Sequence, residues 1–268
     1  MFLRDYDDGT DGAFANNSFP ATVSTFRLDQ YVVTVGRFRQ FVGAGMGTQQ
    51  QPPSAGAGAR TLNGAANQGG WDPAWNGSLA ADKATLVAGV KCDATYAPWT
   101  DTAGANESLP MTCITWYEAM AFCVWDGGFL PTNAELDYAA QGGNEQRAYP
   151  WSFPPSSLAI DCAHASYGGC PPPQRLTPVG ADSPAGDGRW GHADLAGNAF
   201  QFPLDAFGSY ATSCDDCADL TSPLQPGANR VIRGGAFFSI ARVVRGAARN
   251  TAAPGARAYY IGVRCARP

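Results

Sequence analysis

The sequence predicts one irregular, loop-rich α+β domain over residues 1–268. The chain contains 32 glycines and 20 prolines, about a fifth of its residues against a usual ~12%, which indicates many turns and long loops. Hydrophobic residues make up 45%, enough to bury a core. Start and stop signals predict two or three short helices, and the few strand patterns lie near the two ends of the chain. Few short helices, short antiparallel strands and long loops are typical of the α+β class.

Charge and hydropathy argue against nucleic-acid binding and against a membrane-spanning segment. Lysine and arginine number 18 and aspartate and glutamate 23, which gives a formal charge of −5. Nucleic-acid binding needs clustered positive charge, so we expect no nucleic-acid partner. No apolar run approaches the ~20 residues that span a bilayer, so we expect no membrane span.

The first 44 residues predict extended chain followed by one helix. Residues 1–31 are expected to be extended, with the alternating pattern of a strand over residues 21–29. Thr34 can cap a helix in which Val35 and Phe38 begin an apolar face. This helix is predicted to end near Gly43.

Residues 45–110 have the least regular pattern and are interpreted as a loop-rich insertion in the domain. We expect this segment to wrap around the core, held there by Trp71, Trp75, Trp99 and Cys92. A sugar-stacking platform is the alternative role of these tryptophans, but tryptophans in loops more often anchor an insertion.

Two capping boxes predict the best-defined helices. Each consists of a threonine whose hydroxyl accepts from the amide of a glutamate three residues later, in the segments 115–118 and 132–135. Glycine pairs at 127–128 and 142–143 end the two helices. Towards the C-terminus, residues 230–235 and 258–267 predict short strands.

An even number of cysteines in a loop-rich chain favours disulfides and an oxidising compartment. A zinc site is the alternative, because Cys214 and Cys217 form a C-x-x-C pair to which Cys162 and Cys170 can add two ligands. A thioredoxin-like redox motif is less favoured, because no helix pattern follows the pair. The eight cysteines are Cys92, Cys113, Cys123, Cys162, Cys170, Cys214, Cys217 and Cys265.

Eight segments, in this order, resemble the formylglycine-generating enzyme (sulfatase-modifying factor) family. They are Phe26–Thr34, Leu109–Ala119, Trp125–Glu135, Tyr138–Ala140, Tyr149–Trp151, Gly191–Asn198, Arg233–Gly235 and Ile261–Arg264. The resemblance covers nearly the whole chain apart from the insertion. It implies an elaborated C-type-lectin-like α+β fold.

The resemblance also bears on catalysis. Copper-dependent members of the family hold copper(I) with two cysteines placed five positions apart, just after the Arg-Gly-Gly motif, and soft thiolates suit that metal. These positions fall on Ser239 and Val244 here, so we expect no copper and assign no catalytic residue. An iron-dependent branch uses a histidine-rich site, whereas this chain has only His164 and His192.

The resemblance implies two further features. A family calcium loop maps onto Asp194, Gly197, Ala199 and Gln201, whose oxygens suit calcium; a turn capped by Asp194 is the alternative. A family disulfide maps onto Cys123 and Cys265. Proximity in the sequence then suggests the pairs Cys92–Cys113, Cys162–Cys170 and Cys214–Cys217.

The family builds its substrate groove from the C-terminal segment, and the matching residues are the candidate ligand-binding residues. Aromatic and arginine side chains there can supply binding energy. The alternative is that half of them are core and that the arginines pair with nearby aspartates. The candidates are Phe237, Phe238, Ser239, Ile240, Arg242, Tyr259 and Tyr260.

We therefore expect a non-catalytic, extracytoplasmic ligand-binding domain, monomeric, whose partner is a protein, peptide or glycan. The alternatives are an oxidoreductase with altered chemistry in the same groove, a variable protein of a diversity-generating retroelement, and a structural cell-surface module with an unused groove. Met1–Tyr6 lacks the basic-then-apolar pattern of a signal peptide, so this location implies a leader that is not in the chain.

Overall fold

The computed structural model describes residues 1–220 and 228–268. The strands are β1 (Phe2–Tyr6), β2 (Ala15–Thr22), β3 (Arg27–Leu28), β4 (Arg60–Leu62), β5 (Ala65–Gln68), β6 (Phe200–Gln201), β7 (Cys214–Asp215), β8 (Arg230–Arg233), β9 (Arg249–Ala252), β10 (Ile261–Gly262) and β11 (Ala266–Arg267). The α-helices are α1 (Val35–Gly43), α2 (Lys83–Gly89), α3 (Trp116–Trp125) and α4 (Asn133–Ala140). Short 3₁₀ helices cover Pro73–Ser78, Ala105–Ser108, Gly143–Glu145 and Ala241–Val244.

The described strands form small sheets that join distant parts of the chain. The largest has the order β10-β6-β8-β9, a second has the order β1-β2-β7, and the pairs β3–β11 and β4–β5 stand alone. Most pairs are antiparallel, as expected, but β6 pairs with β10 and β2 with β7 in parallel. The four-stranded sheet is built from residues 200–262, whereas the β2–β7 and β3–β11 pairs join the two ends of the sequence and hold the chain together as one unit.

The main core lies between α1, α3 and the four-stranded sheet. Phe38 and Phe41 of α1 meet Phe122 of α3, with ring centroids 5.7 and 5.5 Å apart. All three rings are fully buried. Full burial of each such ring contributes roughly 1.5–3 kcal/mol, so this contact fixes the two helices against each other.

Local signals predicted the helix starts correctly. Thr34 caps α1, and both capping boxes form, with Thr115 and Thr132 accepting from the amides of Glu118 and Glu135. The strand expected over residues 21–29 is divided, because β2 ends at Thr22 and β3 covers only Arg27–Leu28.

The insertion contains more regular structure than its composition indicated. Residues 45–110 include β4, β5 and α2, which Asp82 caps. The expected anchoring by tryptophan is present: Trp71, Trp75 and Trp99 are all more than nine-tenths buried. The ring of Trp75 lies edge-on to Trp116 of α3 at 5.2 Å, which ties the insertion to the core.

The eight cysteines form the four expected pairs, Cys92–Cys113, Cys123–Cys265, Cys162–Cys170 and Cys214–Cys217. The zinc alternative is therefore wrong in this state of the protein, because its four sulfur atoms are oxidised. Four disulfides are typical of a fold formed outside the cytoplasm. Within the described ranges, no helix has the length and apolar character needed to cross a bilayer.

Candidate functional site

Aromatic side chains of the C-terminal segment line a cavity of about 510 Å³, here called the aromatic cavity. Phe237, Phe238 and Tyr259 form one wall, and Tyr96 of the insertion stacks on Tyr259 at 4.9 Å. Phe238 and Tyr96 are each 39% exposed, so their rings are open to a ligand. The volume lies within the usual range for small-molecule or side-chain pockets.

The turn after β8 positions these rings. Gly234 and Gly235 have φ angles of 91° and 74°, which reverse the chain directly after Arg233. The amide of Phe237 then donates to the carbonyl of Asn198 at 3.0 Å, and Phe237 packs into the wall at 3% exposure. Phe238 follows with its ring facing outward, edge-on to Tyr260 at 5.2 Å.

Arg233, the residue directly before this turn, is fixed by hydrogen bonds on all sides. Its guanidinium, 4% exposed, donates to the carboxylate of Asp137 at 2.9 Å and to the hydroxyl of Tyr210 at 3.0 Å. It also reaches the carbonyls of Gly246 and Ala248 at 2.8 and 3.2 Å. Such complete pairing is what allows the charge of Arg233 to be buried inside the protein.

The structure brings four of the seven predicted ligand-binding residues together. Phe237, Phe238 and Tyr259 line the aromatic cavity, and Tyr260 contacts both Phe238 and Tyr259. Burial raises the pKa of the Tyr259 hydroxyl, and the Asp93 carboxylate adds to this shift. The hydroxyl is therefore a neutral hydrogen-bonding group at ordinary pH.

The other three predicted residues do not line the aromatic cavity. Ser239 points inward, Ile240 is 67% exposed outside the cavity, and Arg242 lies over the ring of Phe14 at 5.3 Å. Arg242 also donates to the carbonyl of Ala13 at 3.2 Å. Ser239 therefore caps a turn, Ile240 lies on the open surface, and Arg242 contacts the N-terminal segment.

The two positions that correspond to the family's copper cysteines are both inside the protein. The hydroxyl of Ser239 accepts from the amide of Ala236 at 2.9 Å, so it caps its own turn. Val244 is fully buried beside Ala148 and Tyr149. A hydroxyl already used as a cap and an aliphatic side chain do not fit copper(I), which prefers soft sulfur ligands.

The predicted calcium loop is occupied by protein donors. The carboxylate of Asp194 accepts from the amide of Gly180 at 2.8 Å and from the side chain of Asn198 at 3.3 Å. The side-chain oxygen of Gln201 accepts from Arg264 at 2.9 Å. These contacts are compatible with a turn capped by Asp194, and the guanidinium at the Gln201 oxygen is unfavourable for a cation; the calcium site at Asp194, Gly197, Ala199 and Gln201 stays a prediction.

Two other clusters of titratable groups have structural partners. Asp29, Asp126 and Cys265 lie close together, but Cys265 is in a disulfide and Arg37 bridges the two carboxylates at 2.8 and 2.6 Å. The imidazole Nδ1 of His164 lies 2.7 Å from the carboxylate of Asp161 at the surface.

Sequence reasoning missed two parts of the aromatic cavity. Tyr96 comes from the insertion, and no local pattern places it beside Tyr259. The segment that contains Pro172, Pro173 and Arg175 also lines the cavity, and the side chain of Gln174 fixes it by donating to the carbonyl of Gly168 at 2.8 Å. The only available signal was the density of prolines near two cysteines, which indicates a stiff loop but not its place.

Residues 7–268 match the family model of the sulfatase-modifying factor enzyme 1-like domain. The chain belongs to this family. A curated relative, the formylglycine-generating enzyme of Thermomonospora curvata, is 30% identical over 179 residues, which cover 59% of this chain and 55% of the relative. The chain spans about half the length of the curated relatives it matches.

Two solved structures show the same fold as this sulfatase-modifying factor domain. PvdO from Pseudomonas aeruginosa superposes with a TM-score of 0.64 at 18% identity and covers all of this chain and 90% of its own. Treponema denticola variable protein 1 superposes with a TM-score of 0.61, also at 18% identity, and covers all of this chain and 94% of its own. The formylglycine-generating-enzyme-like fold predicted from the sequence is confirmed.

Proposed function

We propose that this chain is an extracytoplasmic ligand-binding domain that uses the family fold without its copper-dependent oxidase chemistry. The proposal rests on the surroundings of Ser239 and Val244, the two positions that correspond to the family's copper-binding cysteines. The hydroxyl of Ser239 caps a backbone amide and Val244 is buried in the core, so neither is available to a ligand. The neighbouring aromatic cavity is open.

The aromatic cavity supports binding through stacking and hydrogen bonds. Exposed aromatic rings held by neighbouring rings lose little conformational freedom on binding, which favours them as contact residues. Tyr96, Phe238 and Tyr259 supply such rings, and Arg175 adds an exposed cation at the rim. These groups suit a peptide or glycan ligand that combines an apolar face with polar groups.

The catalytic part of the proposal is tested with copper(I). The purified chain is titrated with copper(I) and assayed for oxidation of a cysteine-containing peptide, with the Thermomonospora curvata formylglycine-generating enzyme as the positive control. We expect neither tight binding nor turnover. Tight binding together with turnover would instead support the alternative, an oxidoreductase with altered chemistry.

The binding part is tested on glycan and peptide arrays. A specific signal is expected to be lost in Phe238→Ala, which removes an exposed ring of the aromatic cavity. Phe153→Ala is the matched control, because Phe153 is 89% exposed and does not line that cavity. A signal that survives Phe238→Ala contradicts binding through this cavity, and no specific signal on any array favours the structural-module alternative.

The variable-protein alternative is favoured by the pattern of exposure in one stretch. Phe238 and Ile240 are exposed, whereas Ser239 between them is inward and capped. Sequencing of this stretch across isolates tests it: diversification is expected to change positions 238 and 240 and to spare 239. Uniform sequences would contradict this alternative.

A further inference from the structure

A second cavity, of about 340 Å³, borders the Cys214–Cys217 disulfide. Cys214 belongs to β7 and is buried, whereas Cys217 is partly exposed and lines this cavity. The Nη1 atom of Arg4 lies 3.4 Å from the sulfur of Cys217 and donates to it. The sulfur of Cys217 is thus the one that a reagent in the cavity meets first.

Arg4 is a buried cation whose guanidinium lies over the ring of Tyr210, 4.9 Å from the ring centroid. It is 3% exposed, and among the residues that the structure describes no carboxylate lies within ion-pair distance of its guanidinium. Its Nη2 atom donates to the carbonyl of Ala211 at 2.7 Å, and its Nε atom has no hydrogen-bond partner within residues 1–220 and 228–268. A buried charge without a carboxylate partner is unfavourable, and burial lowers the pKa of Arg4.

The carboxylates around Arg4 and Cys217 have other partners. Asp219 also lines the cavity, and Asp215 and Asp216, next to Cys217 in the chain, accept from Thr22 and Ser24. The carboxylate of Asp137 pairs with Arg233 at 2.9 Å, and that of Asp205 accepts backbone amides at 2.7 and 2.9 Å. The guanidinium of Arg249, which also lines the cavity, lies over the ring of Tyr210 at 3.7 Å. An anion that forms next to Arg4 would therefore remove an unfavourable charge imbalance.

We propose that Cys214–Cys217 is an exchangeable disulfide and that Arg4 stabilises the thiolate of Cys217 in its reduced form. Reduction creates, at the sulfur that Arg4 already contacts, the anion that this arginine lacks. A neighbouring cation is the usual means by which proteins stabilise a thiolate. The size of the cavity suits a small thiol such as glutathione as the reaction partner.

The exchange takes place in two steps. The thiolate of the small thiol attacks the sulfur of Cys217; the bond to Cys214 breaks, and the sulfur of Cys214 takes the electron pair and a proton. A second thiolate then attacks the sulfur of the first small thiol, which releases Cys217 as a thiolate beside Arg4. Two small thiols are oxidised to one disulfide, the protein disulfide takes up both electrons, and the remaining proton goes to solvent.

Opening this disulfide should cost the fold little. Its cysteines are 3 residues apart, against separations of 8, 21 and 142 for the other pairs. The loop that a disulfide closes sets most of the chain entropy that it removes, so the shortest loop contributes least to stability. The Cys214–Cys217 disulfide therefore contributes little to the stability of the fold, and its reduction gives a thiolate that Arg4 stabilises.

The test is a titration in glutathione redox buffers, followed by alkylation and mass spectrometry of each cysteine-containing peptide. Cys214–Cys217 is expected to open at a lower ratio of reduced to oxidised glutathione than the other three pairs, with the circular dichroism spectrum unchanged. Arg4→Met is expected to lower its equilibrium constant for reduction about tenfold. Arg249→Met, which lines the same cavity without touching the sulfur, is the control and is expected to leave the constant unchanged.

Two results of this titration would overturn the proposal: simultaneous opening of all four disulfides, or equal effects of Arg4→Met and Arg249→Met. A second measurement does not depend on the folding of Arg4→Met. In Cys214→Ser the rate of alkylation of Cys217 is measured against pH, and its midpoint is expected below the ordinary thiol pKa of about 8.5. A midpoint at or above that value contradicts stabilisation by Arg4.

Discussion

At the scale of single residues, buried charges connect parts of the chain that are far apart in sequence. Arg233 joins β8 to α4 through Asp137, and Arg245 reaches back to Asp7 in the N-terminal segment. Asp205 has no cation within ion-pair distance among the described residues and is 5% exposed. Backbone amides of Asn133 and Asp219 donate to its carboxylate instead.

Asp205 is expected to make stability depend on pH. Burial raises the pKa of this carboxyl to about 6 in the folded protein, whereas an unfolded aspartate titrates near 4. Between these values the folded state holds a proton that the unfolded state has lost. The contribution of Asp205 to stability therefore grows as the pH falls from about 6 towards 4 and is lost as the pH rises through 6.

The measurement compares the free energy of unfolding of the wild type with that of Asp205→Asn by urea denaturation. The wild type minus the variant is expected to rise by about 2 kcal/mol between pH 7 and pH 4.5. Other titrating groups, such as His192, whose pKa is lowered by burial, are present in both proteins and cancel in this difference. A constant difference would contradict a raised pKa at Asp205.

At the scale of elements, local chemistry determined which parts of the fold were predictable. The capping boxes of α3 and α4 involve only neighbouring residues, so the sequence predicted both starts. Helix α2 was missed because Leu86 is its only fully buried side chain and its surroundings are rich in glycine and alanine. Strand β9 was missed because its partner β8 holds it, not its own pattern.

In the candidate site, too, residues in a recognisable sequence segment were predicted, whereas residues placed by tertiary contacts were missed. Phe237, Phe238 and Tyr259 were predicted because they lie in a segment that resembles the family's groove. Tyr96 was missed because only tertiary contacts place it there. Ser239 and Arg242 were placed in the groove by their position in the sequence, but a turn and a contact with Phe14 direct them elsewhere.

The turn after β8 gives a prediction for one element. A Cβ atom at Gly235 would lie 2.4 Å from Cγ1 of Val244, and the residue has a φ of 74°. Gly45 has a similar φ of 78° with open space around it. Gly45→Ala is expected to cost about 1 kcal/mol from backbone strain alone, and Gly235→Ala at least about 3 kcal/mol because a clash with the core is added.

Urea unfolding of the two variants measures this difference. The paired design separates the strain of a left-handed backbone from the steric role of the turn, since both substitutions add the same methyl group. Equal losses in the two variants would show that the space beside Val244 relaxes and that the turn tolerates a side chain.

At the scale of the whole molecule, the Cys123–Cys265 disulfide ties helix α3 to the C-terminal segment. It closes a separation of 142 residues, and both cysteines are fully buried in the main core. By contrast, Cys162–Cys170 closes 8 residues in a surface loop. The two pairs therefore have different effects on the unfolded chain.

Replacing both cysteines of one pair by alanine tests this difference. Loss of Cys123–Cys265 is expected to lower the free energy of unfolding by about 5 kcal/mol, and loss of Cys162–Cys170 by about 2–3 kcal/mol, from chain entropy. Thermal and denaturant unfolding of the two double variants measure it. A larger loss for the short pair would mean that the loop at residues 162–170 stabilises the fold in some way other than by closing a ring.

The insertion is anchored to the core by some of its residues and reaches the aromatic cavity with others. Trp75, packed against Trp116 of α3, and Trp99, packed against Phe38 of α1, anchor it, yet its Tyr96 forms part of the wall of the aromatic cavity. Under the proposed function, the residues that attach the insertion and the residue that contacts a ligand are therefore different. If the aromatic cavity binds a ligand as we propose, exchanging the residues around Tyr96 between relatives would change ligand preference and leave the anchoring tryptophans in place.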